Sequence, residues 1–175
     1  MRSFRTFCLA VACCAGCGGV GDGAPAVAEF DGPSVCSSGR LRSINESESP
    51  EMGPGRACIA CHADANAASG ENDAPIFAFA GTVYPTAHEP TDCIASGSQG
   101  AEIEITDADG RVFTQVANGS GNFFDEPPAF SYPYRAKVRF QGRERAMAAA
   151  QVIGDCNSCH TELGKEAAPG RILLP

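Results

Sequence analysis

The chain has 175 residues, enough for one ordinary domain with appended segments, and its hydrophobic content of 43% suffices for a packed core. Its 20 glycines and 12 prolines favour turns over long helices. The formal net charge of −8 argues against nucleic acid and anionic lipid surfaces as partners, and it favours partners with a basic docking face.

An export signal is the first predicted element, at residues 1–16. Arg2 and Arg5 form a basic start, and the apolar stretch that follows, Phe7–Gly16, is too short to span a bilayer. Removal of the signal takes away two arginines and no acids, so the mature chain is more acidic still.

The tripeptide A-G-C that ends the signal resembles the lipobox of bacterial lipoproteins, in which the cysteine is acylated and becomes the first mature residue. The usual leucine three positions earlier is replaced by Cys14, and Cys13 and Cys14 are rival sites. We expect the lipid on Cys17. The protein would then be anchored in the cell envelope, in the outer membrane on its periplasmic or surface side. A plain secretory signal is the alternative, and it would also place the protein outside the cytoplasm.

A linker and a first motif segment follow. Residues 17–50 are rich in Gly, Ser, Glu and Pro, which predicts a flexible, lipid-anchored linker. Residues 51–75 contain the pattern C-x-x-C-H, with Cys58, Cys61 and His62 as its fixed positions. The rest of this segment, ADANAASGENDAP, predicts a loop.

Residues 76–147 have the pattern of a small antiparallel β-sandwich. The run FAFAGTVY is apolar and β-branched, and AEIEIT alternates apolar with polar side chains, which is the period of a half-buried strand. The tetrapeptides D-A-D-G and N-G-S-G supply turns on either side of a return strand. The predicted strands lie at 77–84, 101–106, 111–117, 136–140 and 143–147.

The pattern C-x-x-C-H occurs a second time in the C-terminal segment, 148–175, as Cys156, Cys159 and His160. It is the attachment signature of c-type haem. Two thiols about one helical turn apart bond the porphyrin, and the histidine that follows supplies the proximal nitrogen to the iron. We therefore predict two covalent haem c groups, with His62 and His160 as proximal ligands.

Other interpretations of the two motifs fit less well. A structural zinc site generally spaces its ligands differently, because adjacent Cys and His side chains diverge. A thioredoxin-like dithiol needs a strand-to-helix setting, whereas M-G-P-G-R and V-I-G precede these motifs. Two plain disulfides would not require a histidine each time. Covalent haem attachment accounts for all the fixed positions.

Candidate distal ligands follow by elimination. Only His88 remains once His62 and His160 are assigned, so at most one iron in a single chain has two histidine ligands. Met52 and Met147 are the other candidates, and His–Met ligation raises the reduction potential relative to bis-His ligation. We therefore expect two haems of unequal potential. An open iron position is the alternative, and it would suit an enzyme that binds peroxide or another small ligand.

Two cysteines remain once the signal, the lipid site and the two motifs are set aside. These are Cys36 and Cys93. An even remainder in an oxidising compartment predicts one disulfide between them.

Two family resemblances extend these predictions. The order GTV, GAEIEITDADGR and GNFF, over roughly 79–125, resembles the carboxypeptidase-regulatory-like, or transthyretin-like, β-sandwich family, whose domain is generally a rigid non-catalytic module. The segments MGPGRACIACH, GTVYPTAHEP and GDCNSCHTELGKEAAPGRILLP together resemble small bacterial cytochrome c-like lipoproteins that carry such a domain. This second resemblance implies haem binding, an envelope location and electron transfer.

The predicted protein is thus a lipid-anchored dihaem c-type cytochrome that exchanges electrons with other redox proteins. Its expected fold is mainly β, a small transthyretin-like sandwich flanked by two short helical or loop C-x-x-C-H segments. One alternative is a haem peroxidase or small-ligand reductase with one open iron site, and another is a non-redox β-sandwich interaction module. A carrier is favoured over an enzyme because little chain remains to build a shielded distal pocket. Nucleic acid is not an expected partner, and membrane contact is expected through the N-terminal lipid only.

Overall fold

The computed structural model describes residues 30–42, 48–126 and 129–175. The predicted signal and the lipidation site Cys17 lie outside these residues. The described part contains seven strands in two sheets and a single α-helix, so the predicted mainly β sandwich is confirmed. No helix in this part of the chain has both the length and the apolar character that a bilayer crossing needs.

The elements follow one another closely along the chain. The helix α1 is Cys58–Ser69, and single 3-10 turns occur at Ser96–Ser98 and Cys156–Ser158. The strands are β1 (Phe79–Tyr84), β2 (Glu102–Thr106), β3 (Val112–Val116), β4 (Asn122–Asp125), β5 (Arg135–Phe140), β6 (Arg143–Ala146) and β7 (Ile172–Leu173).

One sheet has the strand order β4-β1-β7 and the other has the order β3-β2-β5-β6. Neighbouring strands are antiparallel, except that β1 and β7 are parallel. The predicted turns between β2 and β3 and between β5 and β6 contain Gly110 and Gly142, whose φ angles are 79° and 76°. Glycine adopts this left-handed backbone without a steric penalty, so both hairpins close tightly.

The hydrophobic core lies between the two sheets. Ile103 and Ile105 of β2 face it while Glu102 and Glu104 point outward, as the alternating pattern predicts. The buried members of this cluster are Phe79, Val83, Ala101, Ile103, Ile105, Ala117, Phe123, Tyr134 and Val138.

Strand β1 is buried along its whole length. Phe79 and Val83 belong to the core between the sheets. Thr82 and Tyr84 instead contact the segments that surround the two C-x-x-C-H motifs. Since both faces are covered, β1 has a nearly continuous run of apolar and small residues, and it is the element on which the candidate site is built.

Two predictions from composition differ from the structure. The stretch after the first motif is helical as far as Ser69, because its four alanines favour helix, and the loop begins only at Gly70 with φ 75°. Residues 30–42 of the predicted flexible linker are fixed to the body of the protein. The amide of Arg42 donates to the carbonyl oxygen of Asp92, and the amide of Ile94 donates to that of Arg40. The Cys36–Cys93 disulfide adds a covalent link between the same two segments.

Candidate functional site

The first C-x-x-C-H motif opens a helix. Cys58 is the first residue of α1, and Cys61 and His62 follow within its first two turns. The amide of Cys61 donates to the carbonyl oxygen of Ala57 at 3.0 Å. The two thiols are therefore about one helical turn apart, which is the spacing that attachment to two porphyrin vinyl groups requires.

The second motif forms a shorter turn of the same kind. Its 3-10 turn is Cys156–Ser158, and the amide of His160 donates to the carbonyl oxygen of Cys156 at 2.9 Å. The four motif cysteines are free in this structure. Both motifs therefore hold two unpaired cysteines about one turn apart, with a histidine directly after the second.

The two motif histidines have the same hydrogen-bonding arrangement. Nδ1 of His62 lies 2.8 Å from the carbonyl oxygen of Pro75, and Nδ1 of His160 lies 3.0 Å from the carbonyl oxygen of Gly170. A carbonyl oxygen can only accept, so Nδ1 carries the proton in both rings, and Nε2 is the nitrogen that can bind a metal. Burial lowers the pKa of His160, which favours the neutral ring that metal ligation needs.

The tertiary structure brings the two motifs together on β1. The carboxylate of Asp155, directly before Cys156, accepts a hydrogen bond from the amide of Ala60 at 2.9 Å. The side-chain amide of Asn157, directly after Cys156, donates to the carbonyl oxygen of Arg56 at 2.8 Å. Asp155 also forms a bridge with Ala80 of β1. Residues on both sides of Cys156 are thus bonded to residues on both sides of Cys58.

The first thiol of each motif, Cys58 and Cys156, is not activated as a redox nucleophile. Burial raises the pKa of Cys58 to about 12, with a smaller contribution from the negative charge of Asp155. Burial likewise raises the pKa of Cys156 to about 12. Reactive dithiols at helix N-termini have lowered pKa values instead, so this arrangement does not favour thioredoxin-like chemistry.

A preformed zinc site is not favoured either. Among the described residues, the only group of three or more His, Cys, Asp or Glu side chains close enough to share a metal ion is Cys36, Glu89 and Cys93. Two of these three form the disulfide, which leaves one carboxylate. The donor set of the motifs, two thiols and one imidazole each, fits covalent haem better than tetrahedral zinc.

The candidate distal histidine is engaged elsewhere. His88 is 8% exposed, and its Nδ1 and Nε2 lie 2.5 Å and 2.6 Å from the carbonyl oxygens of Glu162 and Phe30. Only a protonated ring can donate to both oxygens, and these contacts raise the pKa of His88, which favours the imidazolium form that joins residue 30 to the segment after the second motif. Ligation of iron by His88 would require both contacts to break.

The two candidate methionines lie in different places. Met52 precedes the first motif, and its carbonyl oxygen accepts a hydrogen bond from Asn122 at 2.9 Å. Met147 follows β6, and its amide donates to Ala136 at 2.9 Å. Both side chains are half-buried. These contacts involve the backbone only, so the role of either sulfur as a distal iron ligand stays a prediction.

We expect the contribution of His88 to stability to fall as the pH rises. The acceptors Phe30 and Glu162 raise its pKa, aided by the negative charges of Glu162 and Asp31. The contribution is therefore complete below the unfolded-state pKa of about 6.5, and it is lost as the pH rises through the higher folded-state pKa. Urea unfolding of the wild type and His88→Gln at about pH 5.5 and about pH 9 should give a larger difference at the lower pH.

An equal difference at both pH values would contradict this role of His88. A second outcome would also overturn it: a changed haem absorption spectrum in His88→Gln at unchanged haem content. That result would identify His88 as an iron ligand.

The predicted disulfide between Cys36 and Cys93 is present, with a sequence separation of 57 residues. It lies beside Glu89, which is fully buried and accepts a hydrogen bond from the amide of Ser37 at 2.8 Å. The disulfide therefore fastens the N-terminal described segment next to the loop that follows β1.

The tripeptide P-G-R at 169–171 predicts a turn followed by a surface arginine, or an arginine that pairs with a haem propionate, whereas the structure buries Arg171 within the site. It is 2% exposed, and its guanidinium donates to the carbonyl oxygens of Glu89, Gly55 and His160 at 2.8, 2.9 and 3.3 Å. It also lies 5.2 Å from the ring centre of Tyr84. Arg171, in the C-terminal segment, thus connects Gly55 before the first motif with His160 at the end of the second motif.

Asn157 and Thr82 also belong to the site, and no local sequence pattern marks either of them. Asn157 occupies a variable position of the motif and Thr82 is one polar residue in an apolar strand. The Thr82 hydroxyl donates to Asn122 at 2.8 Å and accepts from the amide of Gly55 at 2.9 Å and from Asn157 at 3.1 Å. The only signal in the sequence was a polar residue, Thr82, in the middle of an apolar strand, because a buried polar group needs hydrogen-bond partners.

Comparisons of the chain with protein-family models, with curated proteins and with solved structures return no match. No family is therefore assigned to the chain from them. The function proposed below depends on the named residues and their contacts.

Proposed function

We propose that this chain is a dihaem c-type cytochrome, anchored by lipid in the bacterial envelope, that transfers electrons between redox proteins. Cys58 and Cys61 would hold one haem and Cys156 and Cys159 the other. Each bound haem supplies an iron that takes up and releases one electron. The resemblance of the chain to small cytochrome c-like lipoproteins belongs to the same proposal.

One observation carries the proposal more than any other. In both motifs, the histidine is held by an Nδ1–H donated to a backbone carbonyl oxygen, which leaves Nε2 as the nitrogen for a metal. Such an outer hydrogen bond orients a ligating histidine and fixes its tautomer. The same arrangement at His62 on α1 and at His160 after the second 3-10 turn supports iron ligation at both motifs.

Aromatic and core residues pack against one side of each motif. Phe77 lies 5.1 Å from the ring of His62 and 4.8 Å from the ring of Phe124, which covers one side of the first motif. Cys156 packs against the core between the sheets. An apolar, low-dielectric surrounding is one of the means by which a protein adjusts the reduction potential of haem.

Pyridine haemochrome analysis and intact-mass measurement test the proposal directly, on the full chain matured in a host that attaches haem c. We expect two haems per chain in the wild type. We expect one in Cys58→Ser/Cys61→Ser and one in Cys156→Ser/Cys159→Ser. Thr114→Ser, an exposed change on β3, is the matched control and should retain both. A colourless wild-type protein without added porphyrin mass would overturn the proposal.

A second function is favoured by the contacts of His88. Because both of its ring nitrogens are engaged, neither iron would have a histidine as a distal ligand unless these contacts break. An open iron position would suit a peroxidase or small-ligand reductase. A low-spin absorption spectrum that is unchanged by cyanide and carbon monoxide would support the carrier, whereas a high-spin spectrum that shifts with them would support the enzyme.

A further inference from the structure

The side chain of Asp155 connects the two motifs at their first cysteines. Helix α1 begins without a side-chain cap of its own, since Ala57 occupies the N-cap position. Asp155, 95 residues away, supplies the acceptor for the amide of Ala60 and is only 7% exposed. A carboxylate at a helix N-terminus is favourable both as a cap and as a charge opposite the helix dipole.

Asn157 provides a second and independent connection. Its amide group donates to the carbonyl oxygen of Arg56 at 2.8 Å, and its side-chain oxygen accepts from the amide of Thr82 at 3.1 Å. Asn157 is 2% exposed. The link therefore lies in the interior, where hydrogen bonds hold a defined geometry and are costly to lose.

These two connections restrict the distance between the attachment points. Asp155 and Asn157 flank Cys156, while Ala60 and Arg56 lie within two residues of Cys58. Each connection is one side chain long. A porphyrin is several times wider than such a contact, so two haems attached at these motifs would be close neighbours. The Coulomb interaction of two charged centres weakens only as the inverse of their separation, and buried centres are little screened.

We propose that Asp155 and Asn157 hold the two attachment motifs so close that the two haems respond to reduction as one coupled pair, not as two independent carriers. This inference rests on the proposed function. The chain accepts one electron at each motif, two in all, from an external redox protein or an electrode. The midpoint measured at either motif then depends on whether the other motif is already reduced, as for any two interacting sites.

The comparison of the intact protein with the two single-haem variants tests the coupling. We expect the electrochemical titration of the intact protein to differ from the sum of the titrations of Cys58→Ser/Cys61→Ser and Cys156→Ser/Cys159→Ser. We also expect circular dichroism in the Soret region to show a two-signed couplet in the intact protein and none in either variant. If haemochrome analysis gives two haems and both measurements are nevertheless the plain sum, the coupling is overturned while the proposed function stands.

The positioning role of Asp155 has its own test. Asp155→Ala should reduce the Soret couplet to less than half at unchanged haem content, while Asp155→Asn, which retains an acceptor for Ala60, should keep most of it. Asp64→Ala, an exposed acid on α1, is the matched control and should leave the couplet unchanged. A full couplet in Asp155→Ala would remove Asp155 from the proposal. If that variant does not accumulate, the comparison with the single-haem variants decides the coupling alone.

Discussion

Arg171→Met should destabilise the protein by about 3 to 5 kcal/mol, among the largest effects of any single substitution in the described chain. The variant keeps an apolar stem of similar length but leaves the carbonyl oxygens of Glu89, Gly55 and His160 without this donor. Each buried acceptor that loses its partner costs about 1 to 3 kcal/mol. Removal of the buried charge recovers part of its desolvation cost, which keeps the expected value below the sum of the three.

Urea unfolding followed by circular dichroism measures this effect. Arg143→Met, on the exposed face of β6, is the matched control and should change the free energy of unfolding by less than about 0.5 kcal/mol. Arg171→Lys should be intermediate, because a lysine keeps the charge but lacks the planar fork that reaches three carbonyl oxygens. Equal unfolding midpoints for Arg171→Met and Arg143→Met would contradict the role assigned to Arg171.

Loss of the Cys36–Cys93 disulfide should cost about 4 kcal/mol. The bond closes a loop with a sequence separation of 57 residues, and the chain-entropy model assigns that much to a loop of this length. The double variant Cys36→Ala/Cys93→Ala avoids new polar groups at Cys93, which is fully buried. Its unfolding midpoint should be lower than that of the wild type, and residues 30–42 should become accessible to proteases.

A reducing agent provides the control for this second experiment. It should lower the midpoint of the wild type and leave that of the double variant unchanged, because the variant has no such bond to reduce. Wild type and variant with the same midpoint under non-reducing conditions would show that the bond does not stabilise the fold.

The strands of the sandwich were predictable because their signals are local. The alternation in AEIEIT predicted β2, and the glycines of D-A-D-G and Q-G predicted the turns after β2 and after β5. The strand β7 was not predictable, since two residues carry no periodicity and their pairing with β1 joins parts of the chain about 90 residues apart. The helix after the first motif was missed because D-A-N-A and a following S-G-E-N resemble a loop in composition.

The histidines of the site also differ in whether a local sequence signal predicts their role. The positions of His62 and His160 directly after a second cysteine were sufficient to predict their role as proximal ligands. The sequence around His88, Y-P-T-A-H-E-P, indicated nothing about its burial or its two carbonyl partners. Those partners belong to residues 58 and 74 positions away, so no local pattern contains them.

The amino-acid sequence alone determined the relative positions of two thiols and a histidine in each motif, since one turn of backbone sets them within five residues, and it predicts covalent haem from this spacing. It also determined the pairing of Cys36 with Cys93 by parity. Only the tertiary structure decided that the two motifs adjoin each other, because the contacts through Asp155, Asn157 and Arg171 span 95, 101 and 116 residues. Contacts at such separations form when β1 is covered by the second sheet on one face and by the two motif segments on the other, which no periodicity in the sequence encodes.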